Sequence, residues 1–104
     1  MAQFDVHENN NTDSAATIPY LLNVQADLLN KLTTRVVVPL VTASAMGKPA
    51  MHLNPCFKIE GKAVVMSTAE LAGVNVNVLG EKVCSLDKQR DEIIAALDFL
   101  FTGF

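Results

Sequence analysis

The sequence predicts a mostly β fold with a C-terminal α-helix, in which a small barrel or twisted sheet carries one helix packed over it. Short stretches of alternating apolar and polar residues predict half-buried strands, and the β-branched run at 36–38 predicts a strand buried on both faces. Apolar residues recur with helical spacing in 88–101. The 104 residues suit a single domain, 1–104, with a strand-rich part at about 3–80 and the helix at about 88–101.

The first two predicted strands form a hairpin with a long loop. Apolar and polar residues alternate in 3–7, which is typical of a half-buried strand, and His7 is expected at its solvated end. The polar segment 8–14 predicts an exposed loop. Alternation returns in 18–25, interrupted by Leu21, and predicts the second strand.

A turn is predicted at 27–30, where two leucines are adjacent. In an extended or turn geometry, neighbouring side chains point in different directions, so Leu28 and Leu29 cannot both face inward. One of them is therefore expected on the surface. An exposed leucine is informative when it belongs to a larger apolar patch.

The central strand is predicted at 33–41, because its β-branched run is typical of the middle of a sheet. Pro39 has no N–H to donate, so a bulge or bend is expected there, as the closing of a barrel requires. Residues 42–46 are predicted to form one helical turn, which Gly47 ends.

Two further strand regions follow. A tight hairpin is predicted at 57–66, with Glu60 and Gly61 in its turn. The regular alternation of valine and asparagine at 74–78 predicts another strand, which Gly80 ends. These segments give several short strands before the helix.

The C-terminal helix is predicted to follow the N-cap residue Asp87. One face of the helix is apolar, and its acidic residues lie away from that face. Asp98 precedes Thr102 by one turn, so the two are expected on the same side near the end, and Gly103 permits a left-handed cap. The apolar face consists of Ile93, Ile94, Leu97, Leu100 and Phe101.

Residues 99–104 are unusually apolar for the end of a chain, with three phenylalanines and one leucine. Two interpretations stay open. The segment either packs on the sheet as part of the core, which is the usual role of apolar helix positions, or forms a contact surface for another protein.

The composition is that of a globular, mildly acidic chain. Half of the residues are hydrophobic, 18% are charged, the net charge is −3 and the pI is about 5.2. The eight basic residues are scattered, which disfavours nucleic acid as the primary partner. The sequence begins without a secretory signal pattern, and the apolar run 36–41 is too short to span a membrane, so a cytoplasmic protein is expected.

No motif predicts catalysis, a metal site or a cofactor. Cys56 and Cys84 are expected to be buried thiols without a disulfide, and a zinc site built on His52 and Cys56 lacks a second pair of ligands. His7 and His52 are far apart in the sequence, which gives little support to acid–base catalysis. The sequence therefore favours a binding protein over an enzyme.

Arg35, beside Thr33 and Thr34, is the most plausible polar cluster. A guanidinium group is suited to binding a phosphate. An arginine at the start of a strand is more often solvated or ion-paired.

Six segments form a series along the chain: NVQADLL at 23–29, RVVVPL at 35–40, LNP at 53–55, MST at 66–68, VNVNVLGE at 74–81 and IIAALDFLFTGF at 93–104. Taken together and in this order, they resemble the CcdB toxin family. The similarity extends over nearly the whole chain. Each motif is weak alone, and their collinear order carries the resemblance.

The resemblance implies a cytoplasmic homodimer with an SH3-like barrel, a small accessory sheet and a C-terminal helix, as in CcdB and MazF/Kid-type toxins. Proteins of the CcdB family are toxins of type II toxin–antitoxin systems that serve plasmid maintenance. They bind the gyrase A polypeptide of DNA gyrase and hold the enzyme on cleaved DNA, so that double-strand breaks accumulate. A CcdA-type antitoxin neutralises the toxin, and the two repress their operon together, so the toxin meets operator DNA only in that complex.

The resemblance also implies a gyrase-binding surface without catalytic, cofactor-binding or metal-binding residues. This chain has threonine at 102, where the best-known family member has tryptophan, and phenylalanine at 104, where that member has isoleucine. An aromatic residue at 102 can stack on an arginine of the target, and threonine cannot. The gyrase-binding residues that the resemblance implies are Ala26, Leu28, Leu29, Asp98, Phe101, Thr102, Gly103 and Phe104.

Candidate antitoxin-binding regions are the N-terminal strand, the loop 8–14 and the dimer surface. Two alternative functions stay open for the chain. One is that of an endoribonuclease toxin of the MazF/Kid type, and the other is that of an inactive remnant that only binds antitoxin.

Overall fold

The computed structural model describes residues 1–103, which form seven β-strands and two α-helices. The strands are β1 Asp5–Asn9, β2 Tyr20–Asn23, β3 Thr34–Thr42, β4 Cys56–Ile59, β5 Lys62–Met66, β6 Ala72–Asn75 and β7 Leu79–Ser85; the helices are α1 Ala43–Met46 and α2 Arg90–Thr102. Short 3₁₀ turns lie at Asp27–Leu29, Thr68–Glu70, Val76–Val78 and Asp87–Gln89.

The strands form one curled antiparallel sheet, which confirms the predicted mostly β fold with a C-terminal helix. Its order is β4-β5-β3-β2-β1-β7, and β6 lies off this path and pairs with β3. The predicted long-loop hairpin is β1–β2, and the tight hairpin is β4–β5. At its turn Glu60 and Gly61 both have positive φ, 51° and 80°, as a two-residue hairpin loop with the right twist requires.

Apolar side chains bury both faces of the central strand β3. Val38 and Leu40 belong to the main core, which joins one face of the sheet to Ile93 and Ala96 of α2. Val37 belongs to a smaller cluster with Leu21 and Leu79 on the opposite face. The β-branched run was therefore interpreted correctly.

The predicted bulge at Pro39 is wrong for the β2–β3 edge, where Leu21 pairs with Pro39 in unbroken register. On its other edge β3 pairs with β6 over 34–37 and with β5 over 40–42. Pro39 lies between these two partners, and its carbonyl accepts from the Ser67 N–H at 2.9 Å. A missing N–H on that edge breaks no ladder hydrogen bond, because the strand changes partner there.

The prediction that β1 is half-buried is wrong, since polar residues on its second face are also buried. Asp5 and His7 are 3% and 5% exposed. The His7 ring donates from Nδ1 to the Gly80 carbonyl at 3.0 Å, and the Asp5 carboxylate lies 3.4 Å from the Lys82 ammonium. Both partners belong to β7, which pairs with β1 and was not predicted.

The predicted strand at 74–78 is interrupted. β6 ends at Asn75, whose side chain accepts from the Asn77 N–H at 2.9 Å and so favours a turn over a ladder. Gly80 does not end a strand but lies inside β7. A Cβ atom there would lie 3.0 Å from the Glu8 carbonyl oxygen, so glycine permits the close approach of β1.

The helix α2 begins later than predicted. Asp87 is not its N-cap, because residues 87–89 form a 3₁₀ turn and α2 starts at Arg90. Ala96, absent from the predicted apolar face, is fully buried with Ile93, whereas Phe101 is 69% exposed. The first half of the helix therefore packs in the core, and its C-terminal end is exposed to solvent.

The two cysteines are free. Cys84 is partly buried, but Cys56 is exposed, so the prediction of two buried thiols is wrong for Cys56. Exposed and buried residues alternate along β4, and Cys56 lies on the exposed face of that strand. No helix within residues 1–103 is both long enough and apolar enough to cross a membrane.

Candidate protein-binding surface

The segment 26–32, here called the leucine loop, exposes three large apolar side chains. Leu28 is 94% exposed, Leu29 49% and Leu32 51%. The sequence predicted that one of the two adjacent leucines faces solvent, and the structure places both there. Leu32 was missed, although its spacing of three from Leu29 matches neighbours on a helical turn. A cluster of exposed leucines is typical of a binding surface.

The Arg35 side chain holds the C-terminal half of the leucine loop. Arg35 is 6% exposed and donates to the carbonyls of Asn30 at 2.7 Å, Thr34 at 2.8 Å and Leu32. The expectation of a solvated or ion-paired arginine is therefore wrong. Its guanidinium is directed to backbone carbonyls, which leaves it poorly placed to bind a phosphate.

The Gln25 side chain holds the middle of the same loop. It is also 6% exposed, donates to the Leu29 carbonyl at 3.0 Å and accepts from the Val36 N–H at 2.9 Å. One amide group thus connects the 3₁₀ turn to the central strand. A buried amide with both of its functions paired is a stable connection.

The first residues of the chain add a further connection. The Gln3 N–H donates to the Asp27 carboxylate at 2.7 Å, and the Asn30 amide donates to the Met1 carbonyl, also at 2.7 Å. These bonds are exposed and contribute less than the buried ones. They place Met1, which is 42% exposed, beside the leucine loop.

The helix tip, residues 98–103, is the second exposed group. Phe101 is 69% exposed, and Asp98, Thr102 and Gly103 are also exposed. The Thr102 hydroxyl donates to the Asp98 carbonyl at 2.7 Å, so the two residues lie on one side, as predicted. Gly103, with φ 79°, forms the predicted left-handed cap and donates to the Phe99 carbonyl.

The predicted surface residues therefore fall into two groups within one chain. Ala26, Leu28 and Leu29 are exposed in the leucine loop, and Asp98 and 101–103 are exposed at the helix tip. Helix α2 packs mainly against the main core and the 3₁₀ turns 68–70 and 87–89 rather than against the leucine loop. The remaining predicted residue, Phe104, lies outside the described residues.

A groove that the sequence did not predict lies along α2. It has a volume of about 250 Å³ and is lined by His52, Pro55, Glu92 and Ala95. The His52 ring lies 6.2 Å from the Phe99 ring, and His52 has a positive φ of 70°. Residues 1–103 contain no cluster of three side chains suited to holding a metal ion.

Two groups with perturbed pKa values lie in the sheet, one on β2 and one on β7. Burial and a 3.0 Å hydrogen bond to the Glu60 carboxylate raise the pKa of Tyr20 to about 12. Burial, followed by the Glu60 and Asp5 carboxylates, raises the pKa of Cys84 above its ordinary value. A raised phenol pKa stabilises the fold below pH 10, and this contribution is lost as the pH rises towards 12.

Comparison with solved structures identifies the fold. The chain is similar to a structure described as an endoribonuclease in complex with its cognate antitoxin, from a mycobacterial species. The TM-score is 0.75 over 96% of this chain and 93% of that chain, at 14% sequence identity. At this identity the likeness concerns the fold alone.

A comparison with family models gives a match over nearly the whole sequence. The model described as CcdB protein matches residues 3–103. The matched range contains both the leucine loop and the helix tip.

Proposed function

Because this chain belongs to the CcdB family of toxins from toxin–antitoxin systems, we propose that it binds the gyrase A polypeptide of DNA gyrase and holds the enzyme on cleaved DNA. The observation that carries the proposal is the exposure of large apolar side chains at two positions of the predicted surface. Leu28 is 94% exposed and Phe101 is 69% exposed.

These two side chains are suited to anchoring a protein partner. Burying one leucine or phenylalanine side chain is favourable by about 1.5–3 kcal/mol, so covering these two side chains would favour formation of a complex. Aromatic side chains are frequent anchors at the centre of interfaces. The acidic charge of −3 is compatible with this role, since gyrase itself holds the DNA.

A homodimer would present the surface twice. Two copies related by a two-fold axis carry identical patches, and the gyrase A polypeptides are themselves arranged as a two-fold dimer, so the two axes can align. Such a ligand needs no catalytic residue. It shifts gyrase towards the cleaved state if it binds that state more tightly than the closed one.

We further propose that a CcdA-type antitoxin neutralises this toxin and joins it in repressing their operon. The solved protein of similar fold was captured with its own antitoxin, which supports a partner of this class. The strand β1 is paired on both sides, so it offers no free edge to an antitoxin strand. The exposed residues 10–13 of the first loop are the better candidate for a segment that orders on binding.

Endoribonuclease activity is the second candidate, since the solved protein of similar fold is described as an endoribonuclease. Two observations count against it here. The Arg35 guanidinium is buried on backbone carbonyls, and the chain is acidic. A remnant that binds antitoxin without acting on gyrase is the third candidate.

One set of assays separates the three candidates. The purified protein is incubated with gyrase, ATP and plasmid DNA, and in parallel with single-stranded RNA. A gyrase poison inhibits supercoiling, yields linear DNA and leaves the RNA intact. RNA cleavage identifies the second candidate. A folded dimer that does neither at micromolar concentration, and is harmless when overexpressed in a host with sensitive gyrase, is the remnant.

A further inference from the structure

We propose that Arg35 and Gln25 are positioning residues that hold the leucine loop in the conformation in which it contacts gyrase. This inference rests on the proposed function. Both side chains are 6% exposed, so neither is available to touch the partner itself. Their role would be to fix the backbone that carries Leu28 and Leu29.

The leucine loop needs such a restraint. Leu28 is almost fully exposed, and the hydrophobic effect favours conformations in which this side chain folds back onto the protein. The 3₁₀ turn at Asp27–Leu29 is three residues long and is too short to be stable by itself. Its conformation therefore depends on groups outside the turn.

The two buried side chains supply that restraint at successive points of the loop. Gln25 holds the Leu29 carbonyl, and Arg35 holds the carbonyls of Asn30 and Leu32. Both residues are anchored to the sheet, since Arg35 lies in β3 and Gln25 accepts from Val36 of the same strand. Hydrogen bonds from a charged donor are stronger than those between neutral groups, so Arg35 carries the larger share.

A loop that is fixed before binding loses less conformational entropy when the complex forms. Removing the restraint should therefore weaken gyrase binding even though the contact side chains are unchanged. It should also accelerate amide hydrogen exchange in residues 29–32, because exchange reports local opening. If the two side chains only stabilise the fold, their removal should lower the melting temperature without weakening gyrase binding or accelerating exchange in 29–32.

The main test compares Arg35→Met with the wild type, at a temperature where both are fully folded. We expect a Kd for the dimerisation region of gyrase A that is at least tenfold higher, and at least tenfold faster exchange in 29–32. Arg35→Lys keeps the charge but has a single side-chain nitrogen. Its Kd and its exchange rate should lie between those of the wild type and Arg35→Met. A folded Arg35→Met protein with native Kd and native exchange would overturn the proposal.

A matched pair of amide deletions keeps the test independent of Arg35, should that variant fail to fold. Gln25→Ala removes two hydrogen bonds, one to Leu29 of the leucine loop and one from Val36 of β3. Asn54→Ala also removes two, because Asn54 accepts from Ala50 at 2.9 Å and donates to Met66 of β5 at 3.0 Å. Only Gln25→Ala should change the Kd and the exchange of 29–32. Equal effects of both variants would contradict the inference.

The two proposals fail in different ways. A wild-type protein that does not bind gyrase A refutes the proposed function, and with it the part of this inference that concerns gyrase. The exchange measurement still decides whether Arg35 and Gln25 hold the loop. Binding by the wild type, with unchanged binding by both loop variants, refutes the positioning role alone.

Discussion

The leucine loop and the helix tip both expose apolar side chains, but they are held by different means. The loop has little regular structure, and two buried polar side chains anchored to the sheet, Gln25 and Arg35, hold its carbonyls. The tip continues a helix whose first half is fixed by apolar packing of Ile93 and Ala96. Two parts of one proposed surface therefore depend on different forces, hydrogen bonding for the loop and the hydrophobic effect for the tip.

Apolar side chains are exposed for a different reason in each region. At the tip, exposure follows from geometry, because the helix extends past the core to Thr102 and is capped by Gly103. In the loop, exposure is imposed, because hydrogen bonds direct adjacent leucines outward. Substitutions that remove either the hydrogen bonds of the loop or the apolar packing of the helix show how much each contributes.

The largest expected effect comes from removing the anchor of the tip. Ile93→Ala deletes a fully buried side chain and should lower the free energy of unfolding by about 2–5 kcal/mol. Urea denaturation measures this loss. Ala95→Ser, at an exposed position of the same helix, is the control and should change it little. Equal effects of the two variants would show that packing does not hold the helix.

Deleting Thr102–Phe104 tests the tip while the buried anchor Ile93 is kept. We expect toxicity on overexpression to be abolished, while the melting temperature changes by a few degrees, as expected for a loss of about 1 kcal/mol or less. Calorimetry and a growth assay measure the two effects. A large loss of stability would instead assign the tip to the core.

Leu28→Asp tests the loop at its most exposed position. The variant should weaken gyrase binding by about 2 kcal/mol, or roughly 30-fold in Kd, with an unchanged melting temperature. Met51→Asp is the matched control, because Met51 is 80% exposed and lies outside the proposed surface. Equal binding by the wild type and Leu28→Asp would remove the loop from the surface.

The smallest effect is expected from a substitution that adds contact area to the tip. Thr102→Trp places at this position the aromatic residue that the best-known family member has, and should lower the Kd for gyrase A by several-fold. Thr102 is exposed, so stability should change little. Titration calorimetry measures the change. Weaker binding would indicate that the surface is organised differently in this chain.

The fold was predictable where a local pattern determines it. The β-branched run at 36–38 and the turn Glu60–Gly61 depend on neighbouring residues, and both were interpreted correctly. The strand β7 was missed, because Gly80 has the local signature of a break and is explained only by its contact with Glu8. Long-range contacts of this kind leave no periodic signal in the sequence.

The features of the proposed surface also divide into those that the sequence predicted and those that depend on long-range contacts. Adjacent leucines gave a reason to expect exposure, and the family resemblance assigned residues to the tip. The roles of Arg35 and Gln25 were not predictable, because Gln25 meets Val36 only after the sheet has formed. Arg35 was considered as a phosphate ligand or as a solvated or ion-paired residue, since nothing in the sequence reveals that the carbonyls of Asn30 and Leu32 converge on it.

The pairing of β1 with β7 has a consequence for the synthesis of this protein. Asp5 pairs with Ser85, so β1 leaves the ribosome well before β7, the strand that completes its pairing. Chains dominated by such distant contacts fold slowly compared with helical bundles. A growing chain cannot assemble the complete sheet before β7 has been made.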